Sequence, residues 1–124
     1  MKHYTTIEQS KKLLELGLNP KSADMYYLSQ GMDDSGKKYY SLDVDEGYND
    51  DISERDIPCW SLAALLQVMP IVDEHTYHIC GTLNGGALCE HGCTSVMFQE
   101  DTIIDACFEM VCWLLENGYI KKGE

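Results

Sequence analysis

Apolar and polar positions follow a helical period over residues 101–118, DTIIDACFEMVCWLLENG, and the pattern there is lopsided. The polar positions Asp105, Glu109 and Glu116 lie four and seven residues apart, so on a helix they form one narrow stripe in an otherwise apolar circumference. Both ends are legible. Asp101 or Thr102 suits the N-cap, Asp105 suits the positive end of the helix dipole, and Asn117-Gly118 supplies the left-handed residue that ends helices. Trp113 falls with Ile103, Ala106 and Met110 on one side, while Ile104, Cys107 or Phe108, Val111 and Leu115 cover another. The spacing predicts a helix that packs on a sheet with one side. Its Met110 and Trp113 side is closed either by the chain's own helices or by a second copy, because aromatic residues and methionine favour interface cores.

The same reading predicts a first helix from Thr6 to Leu16. Thr5 and Thr6 each have Glu or Gln three positions later, Gly17 follows the last periodic residue, and the inner stripe is Ile7, Ser10, Leu13, Leu14 and Leu16. Asn19-Pro20 forbids continuation, and Met25 to Ser29 and Lys38 to Val44 have the aromatic and β-branched content of strands. The polar, glycine-punctuated GMDDSGK between them suggests a hairpin with a long connection. Ser61 can cap a third helix through Val68, stopped by Pro70, with Leu62, Leu65, Leu66 and Met69 facing one way. Thr76 to Leu83 and Thr94 to Gln99 read as strands joined by the glycine-rich NGGALCEHG. The order is α-β-β-α-β-β-α. It predicts a single α+β domain over residues 1–124, with one antiparallel sheet of about four strands covered by three helices. LLELGL at Leu13 to Leu18 and LLENGYI at Leu114 to Ile120 are alike because both read as a helix ending on glycine with an apolar residue after it.

Composition narrows the function classes. Nine Lys and Arg stand against 21 Asp and Glu, a formal net charge of -12, which repels polyanions unless basic clusters overcome it. Lys11-Lys12, Lys37-Lys38 and Lys121-Lys122 are isolated pairs with acids nearby, so direct nucleic-acid or anionic-membrane binding is not expected. The N-terminal MKHYTTIEQSKK contains no apolar core of a secretion signal, and no segment approaches the ~18 apolar residues that span a bilayer. The chain is expected in the cytoplasm. There its six cysteines read as small buried apolar residues, Cys59, Cys107 and Cys112 above all, rather than as a disulfide framework. Cys107 and Cys112 stand about 140° apart on a helix and cannot form a vicinal redox pair.

Three constellations carry candidate chemistry. The sharpest is Cys89-Glu90-His91-Gly92-Cys93 with Cys80 nine positions earlier and His75 and His78 nearby, which together offer ligands for Zn²⁺. Only one close cysteine pair exists, and in extended chain the sulfurs of Cys89 and Cys93 lie roughly 13 Å apart, so a turn at Gly92 is required. Cysteines and a histidine in a strand or hairpin tip are the simpler reading, and no metal or cofactor is assigned. The segment from Asp43 to Asp56 holds seven acids and one arginine and reads as an exposed loop. Asp43, Asp45, Asn49, Asp51 and Glu54 fall at positions one, three, seven, nine and twelve of a calcium-loop frame, but Gly47 and Tyr48 occupy positions that need an oxygen ligand and a glycine. No residue sits in a recognisable nucleophile turn, and the glycines from Gly81 to Gly92 form no phosphate-cradling pattern, so no catalytic residue is assigned.

TIEQSKKLLELGL, SADMYY, IPCWSLAALLQVMP and DACFEMVCWLLENG, together roughly half the chain and in this order, resemble a family of small proteins from Bacteroides-like gut bacteria, often carried by prophages and other mobile elements. The resemblance implies no activity, cofactor or site residue. With it, the residues predict a small acidic protein that binds another protein or itself. The acidic loop at 43–56 would favour a basic surface on a partner, and the last helix offers a face for a homo-oligomer. A zinc-binding module on Cys80, Cys89, His91 and Cys93 and a DNA-mimic inhibitor are the alternatives.

Overall fold

The computed structural model describes residues 3–44, 56–70, 77–82, 86–91 and 96–123. Its helices are α1 (Ile7–Glu15), α2 (Leu62–Val68) and α3 (Ile103–Glu116), and a single 3₁₀ turn, Pro20–Ser22, follows α1. The strands are β1 (Met25–Met32), β2 (Lys38–Val44), β3 (Ile57–Cys59), β4 (Tyr77–Gly81), β5 (Ala87–His91) and β6 (Val96–Glu100). The α+β class is as predicted, and all three helices lie where their caps place them. Thr6 closes a reciprocal capping box with Gln9, Ser61 accepts from the Ala64 amide, and Thr102, not Asp101, accepts from the Asp105 amide.

The sheet differs from expectation. The described residues form two antiparallel three-stranded sheets, ordered β2-β1-β3 and β4-β5-β6, instead of one sheet of about four strands. Two strands account for the difference. Ile57–Cys59, outside the predicted strands, pairs with Met25 to Tyr27 and joins the first sheet. Residues 87–91, taken as part of a glycine-rich connection, form the central strand of the second sheet, pairing with β4 and β6 on its two sides. Gly86 opens that strand because a Cβ there would stand 2.7 Å from the Glu100 carbonyl oxygen, so the glycine marks close strand approach, not a loop. The β1–β2 connection is also tighter than predicted: Asp33 and Lys37 bracket a three-residue turn through an amide-to-carbonyl bond of 2.9 Å.

Strand alternation places Ala87, Cys89 and His91 on the buried side of β5, against α3. Nine of the fourteen residues of α3 are buried, among them Met110 and Leu114 at 0% exposure. The core cluster continues through Leu13 and Leu18, Trp60 and Leu65 to Ile120 and takes in Cys89 of the second sheet, whereas no described residue of β1, β2 or β3 belongs to it. Each fully buried leucine or methionine contributes about 1.5–3 kcal/mol of transfer free energy. The helical stripe of α2 is narrower than predicted: Ala64 and Leu65 are buried, Leu62 and Met69 are half-buried, and Leu66 is exposed. The polar stripe of α3 does not simply face water either, because Gln9 of α1 donates to the Asp105 carboxylate at 2.8 Å.

The likeness of the two leucine-rich segments has the capping origin predicted for it. Gly17 and Gly118 both adopt positive φ, +100° and +77°. The amides of Gly17 and Leu18 return to the carbonyls of Leu14 and Leu13, and those of Gly118 and Tyr119 to the carbonyls of Leu115 and Leu114. Leu18 and Ile120 then drop into the core.

Candidate functional site

The sequence-derived zinc candidates do not assemble among the described residues. Cys80 pairs with Leu88 and is exposed, whereas Cys89 pairs with Ile79 and is fully buried, so the pleat sends their side chains to opposite faces of the second sheet. His91 shares the buried face with Cys89 and lies against the Tyr77 ring, with centroids 5.0 Å apart. His78 pairs with Glu90 and is exposed on the Cys80 side. His75 and Cys93 lie outside the described residues, and no group of three or more His, Cys, Asp or Glu converges among those described.

Cys107 has a partner that inspection of its own helix could not supply. Its thiol faces that of Cys89 where α3 packs on β5, and this neighbour first, with burial second, holds Cys89 protonated far above the ordinary thiol range. Burial likewise pushes the Cys112 thiol up to about 12. Cys89 and Cys112 are thus held as protonated thiols packed in the core, while the Cys89 interaction lowers Cys107.

A second polar cluster lies where α1, β1 and β3 meet, and its only local sign is the threonine before the capping box. Thr5 is fully buried; its hydroxyl accepts from the Trp60 amide at 3.1 Å and shares a 2.7 Å bond with the Ser10 hydroxyl. Its carbonyl accepts from the Tyr27 hydroxyl at 2.7 Å and from the Cys59 thiol at 3.4 Å. Burial first, and the neighbouring Cys59 second, push the Tyr27 phenol well above its usual range, and burial raises Cys59 too. Nearby, the Trp60 indole donates to the Ser22 hydroxyl at 2.9 Å, and the Ser61 amide and hydroxyl both donate to Asp24. Satisfied in this way, the network fixes β3 and the start of α2 against the N-terminal segment.

Two surface features remain. One is a groove formed by the 3₁₀ turn, α2 and the segment after α3, made of two adjoining cavities of about 360 and 340 Å³ that share Ser22, Gln67 and Val68. The other is the β1–β2 hairpin. Every residue from Gln30 to Tyr39 is exposed, including Met32 at 61% and Tyr39 at 51%. The hairpin is well braced: Asp33 Oδ1 accepts from the Ser35 amide and hydroxyl and from the Lys37 amide, and Gln30 donates to the Ser41 hydroxyl across the pair. On the last helix, Met110 is enclosed by the chain itself and Trp113 is half-buried, stacked on Tyr119 at 5.3 Å. Of the acidic segment predicted at 43–56, residues 43 and 44 belong to β2, Asp56 is half-buried and accepts from the Ser29 amide, and 45–55 lie outside the described residues.

No described helix is long and apolar enough to cross a membrane. Comparison with family models, curated proteins and solved structures finds no match to this chain.

Proposed function

We propose that this chain acts as a small protein-binding module rather than on a small molecule. The observation that carries the reading is the projecting β1–β2 hairpin, a braced element that holds Met32 and Tyr39 in water. Tyrosine on a preorganised backbone can bury large area at little conformational cost, which is how interface anchors work, and a flexible methionine beside it can fill irregular gaps. Of the described cysteines, those at 59, 89, 107 and 112 are buried and Cys80 is exposed. A net charge of -12 favours partners with a basic surface and speeds their encounter. The resemblance to small proteins of mobile elements suits an accessory role of this kind.

Capture from a native host lysate tests the reading, comparing the full chain with a Met32→Ser, Tyr39→Ser double variant. The expected result is a protein retained by the first and lost with the second. Recovery of no partner, or of the same partners by both forms, would overturn it.

A further inference from the structure

We propose that Cys89 and Cys107 form an internal modification site, which a small peroxide converts to a disulfide between β5 and α3. The site is independent of the hairpin arm and of any partner held there. Cys89 is the middle residue of the central strand of the second sheet, on the side that strand alternation turns toward α3. Cys107 lies in the second turn of α3 on its buried side, and the two thiols face each other where helix and strand pack. Both are at 0% exposure within one core cluster. The other described thiols are directed elsewhere. Cys80 is exposed on the opposite face of the sheet, and Cys59 belongs to the first sheet, where its thiol donates to the Thr5 carbonyl. Cys112 stands about 140° around the helix from Cys107.

The two sulfurs are chemically unequal. Cys89 keeps its proton, whereas the same contact favours the thiolate of Cys107 and makes it the attacking sulfur. That thiolate attacks one peroxide oxygen and breaks the O–O bond, which leaves a sulfenic acid on Cys107; the other oxygen departs as hydroxide and takes up the proton Cys107 released. The Cys89 sulfur then attacks that of Cys107, the S–O bond breaks, and the Cys89 proton leaves with the oxygen as a second water. Two thiols and one peroxide give one disulfide and two waters, with two electrons passing from the sulfurs to the peroxide. Because a second thiol already faces Cys107, the sulfenic acid is resolved to a disulfide before a further peroxide can carry it to the sulfinic acid. Burial selects the oxidant. Bulky thiol reagents are kept from sulfurs at 0% exposure, while a small neutral peroxide needs only a brief local opening of α3 over β5. The link then ties the helix that closes the second sheet to the central strand of that sheet, and the chain unfolds less readily.

The probe is hydrogen peroxide on the folded full chain, read by mass spectrometry of peptides after free thiols are blocked in denaturant. The expected result is a peptide pair joined through Cys89 and Cys107, lighter by about 2 Da than the two reduced peptides and separated again by dithiothreitol. The melting temperature of the peroxide-treated chain should fall when dithiothreitol reopens the link, a comparison in which any methionine sulfoxide is common to both samples. Cys107→Ser should lose the link, with circular dichroism confirming that the variant folds, and Cys112→Ala, which removes another buried thiol, should keep it. Cys89 and Cys107 recovered as free thiols from the treated wild type would overturn the site. So would a link that forms no faster than pairings with Cys59 or Cys112, or a linked chain that melts below the reduced one.

Discussion

The two sheets each have three antiparallel strands among the described residues, and their surroundings are opposite. In the second sheet, β5 alternates strictly between buried and half-buried positions, because α3 lies across one face and β4 and β6 flank it. In the first, β1 and β2 run out of the body together until every residue at their shared end is exposed. Strand propensity does not separate them, since both contain aromatic and aliphatic residues. The difference lies in what covers them. A single broad helix with nine buried residues is enough to close one sheet, and the other is anchored at its base by the Thr5, Tyr27 and Trp60 hydrogen bonds and continued by local turn chemistry. The body is therefore held by apolar packing and the arm by hydrogen bonds close in sequence. Two kinds of perturbation should tell them apart.

The largest expected effect is in the body. Leu114→Ala removes a side chain at 0% exposure from the centre of the core and should cost about 2–5 kcal/mol in urea unfolding. Tyr39→Ala, at 51% exposure, should change stability by less than about 0.5 kcal/mol. Similar losses from the two substitutions would break the distinction and show that the arm is part of the cooperative unit.

How far this division was legible in the sequence depends on how local its causes are. The helix boundaries were readable because Thr6, Ser61, Thr102, Gly17 and Gly118 act within a turn or so of themselves. The class followed from them. The split into two sheets was not readable, because β3 has only three residues and β5 follows a glycine, Gly86, whose reason is the carbonyl of Glu100, fourteen positions away. The candidate chemistry suffered in the same way. Cys80 lies nine positions before Cys89, but the pleat sets it on the face opposite Cys89 and His91, while Cys89 meets Cys107 through a packing contact that no local spacing encodes. The hairpin arm was assigned as strand correctly, yet its exposure was invisible, since tyrosines in a strand read the same whether or not a helix covers them.

Alkaline pH sharpens the comparison on the body side. Burial raises the Cys112 thiol to about 12 from an ordinary 9.0, and burial, with Cys89 nearby, raises the Tyr77 phenol to about 12 from 10.0. The folded form holds these protons after the unfolded chain has released them. Their contribution is therefore complete below the unfolded values and falls as pH rises from about 9 toward about 12. Each group can add a slope of up to about 1.4 kcal/mol per pH unit within its window. Urea midpoints measured from neutral pH upward should decline over that range. Cys112→Ala should flatten the decline even though it lowers stability at neutral pH. An unchanged slope in that variant would show that the buried thiol is not the group responsible.

The smallest effect belongs to the arm and has the opposite sign. Asp33 is held below its ordinary 3.8 by the Ser35 hydroxyl first and the Lys37 amide next. Its support of the turn is therefore present above that value and is lost as pH falls through the lower folded one. Because the carboxylate is exposed and its partners are all within four residues, protonation should loosen the turn without reaching α3. Amide shifts of Ser35 and Lys37 should titrate together in acid while those of Met110 and Leu114 keep to their own course, and Asp33→Asn should abolish the first titration and spare the second. If the α3 amides instead move with Ser35, the turn is coupled to the core through β1, and the arm would have to be counted as an extension of the body and not as a separate surface for binding.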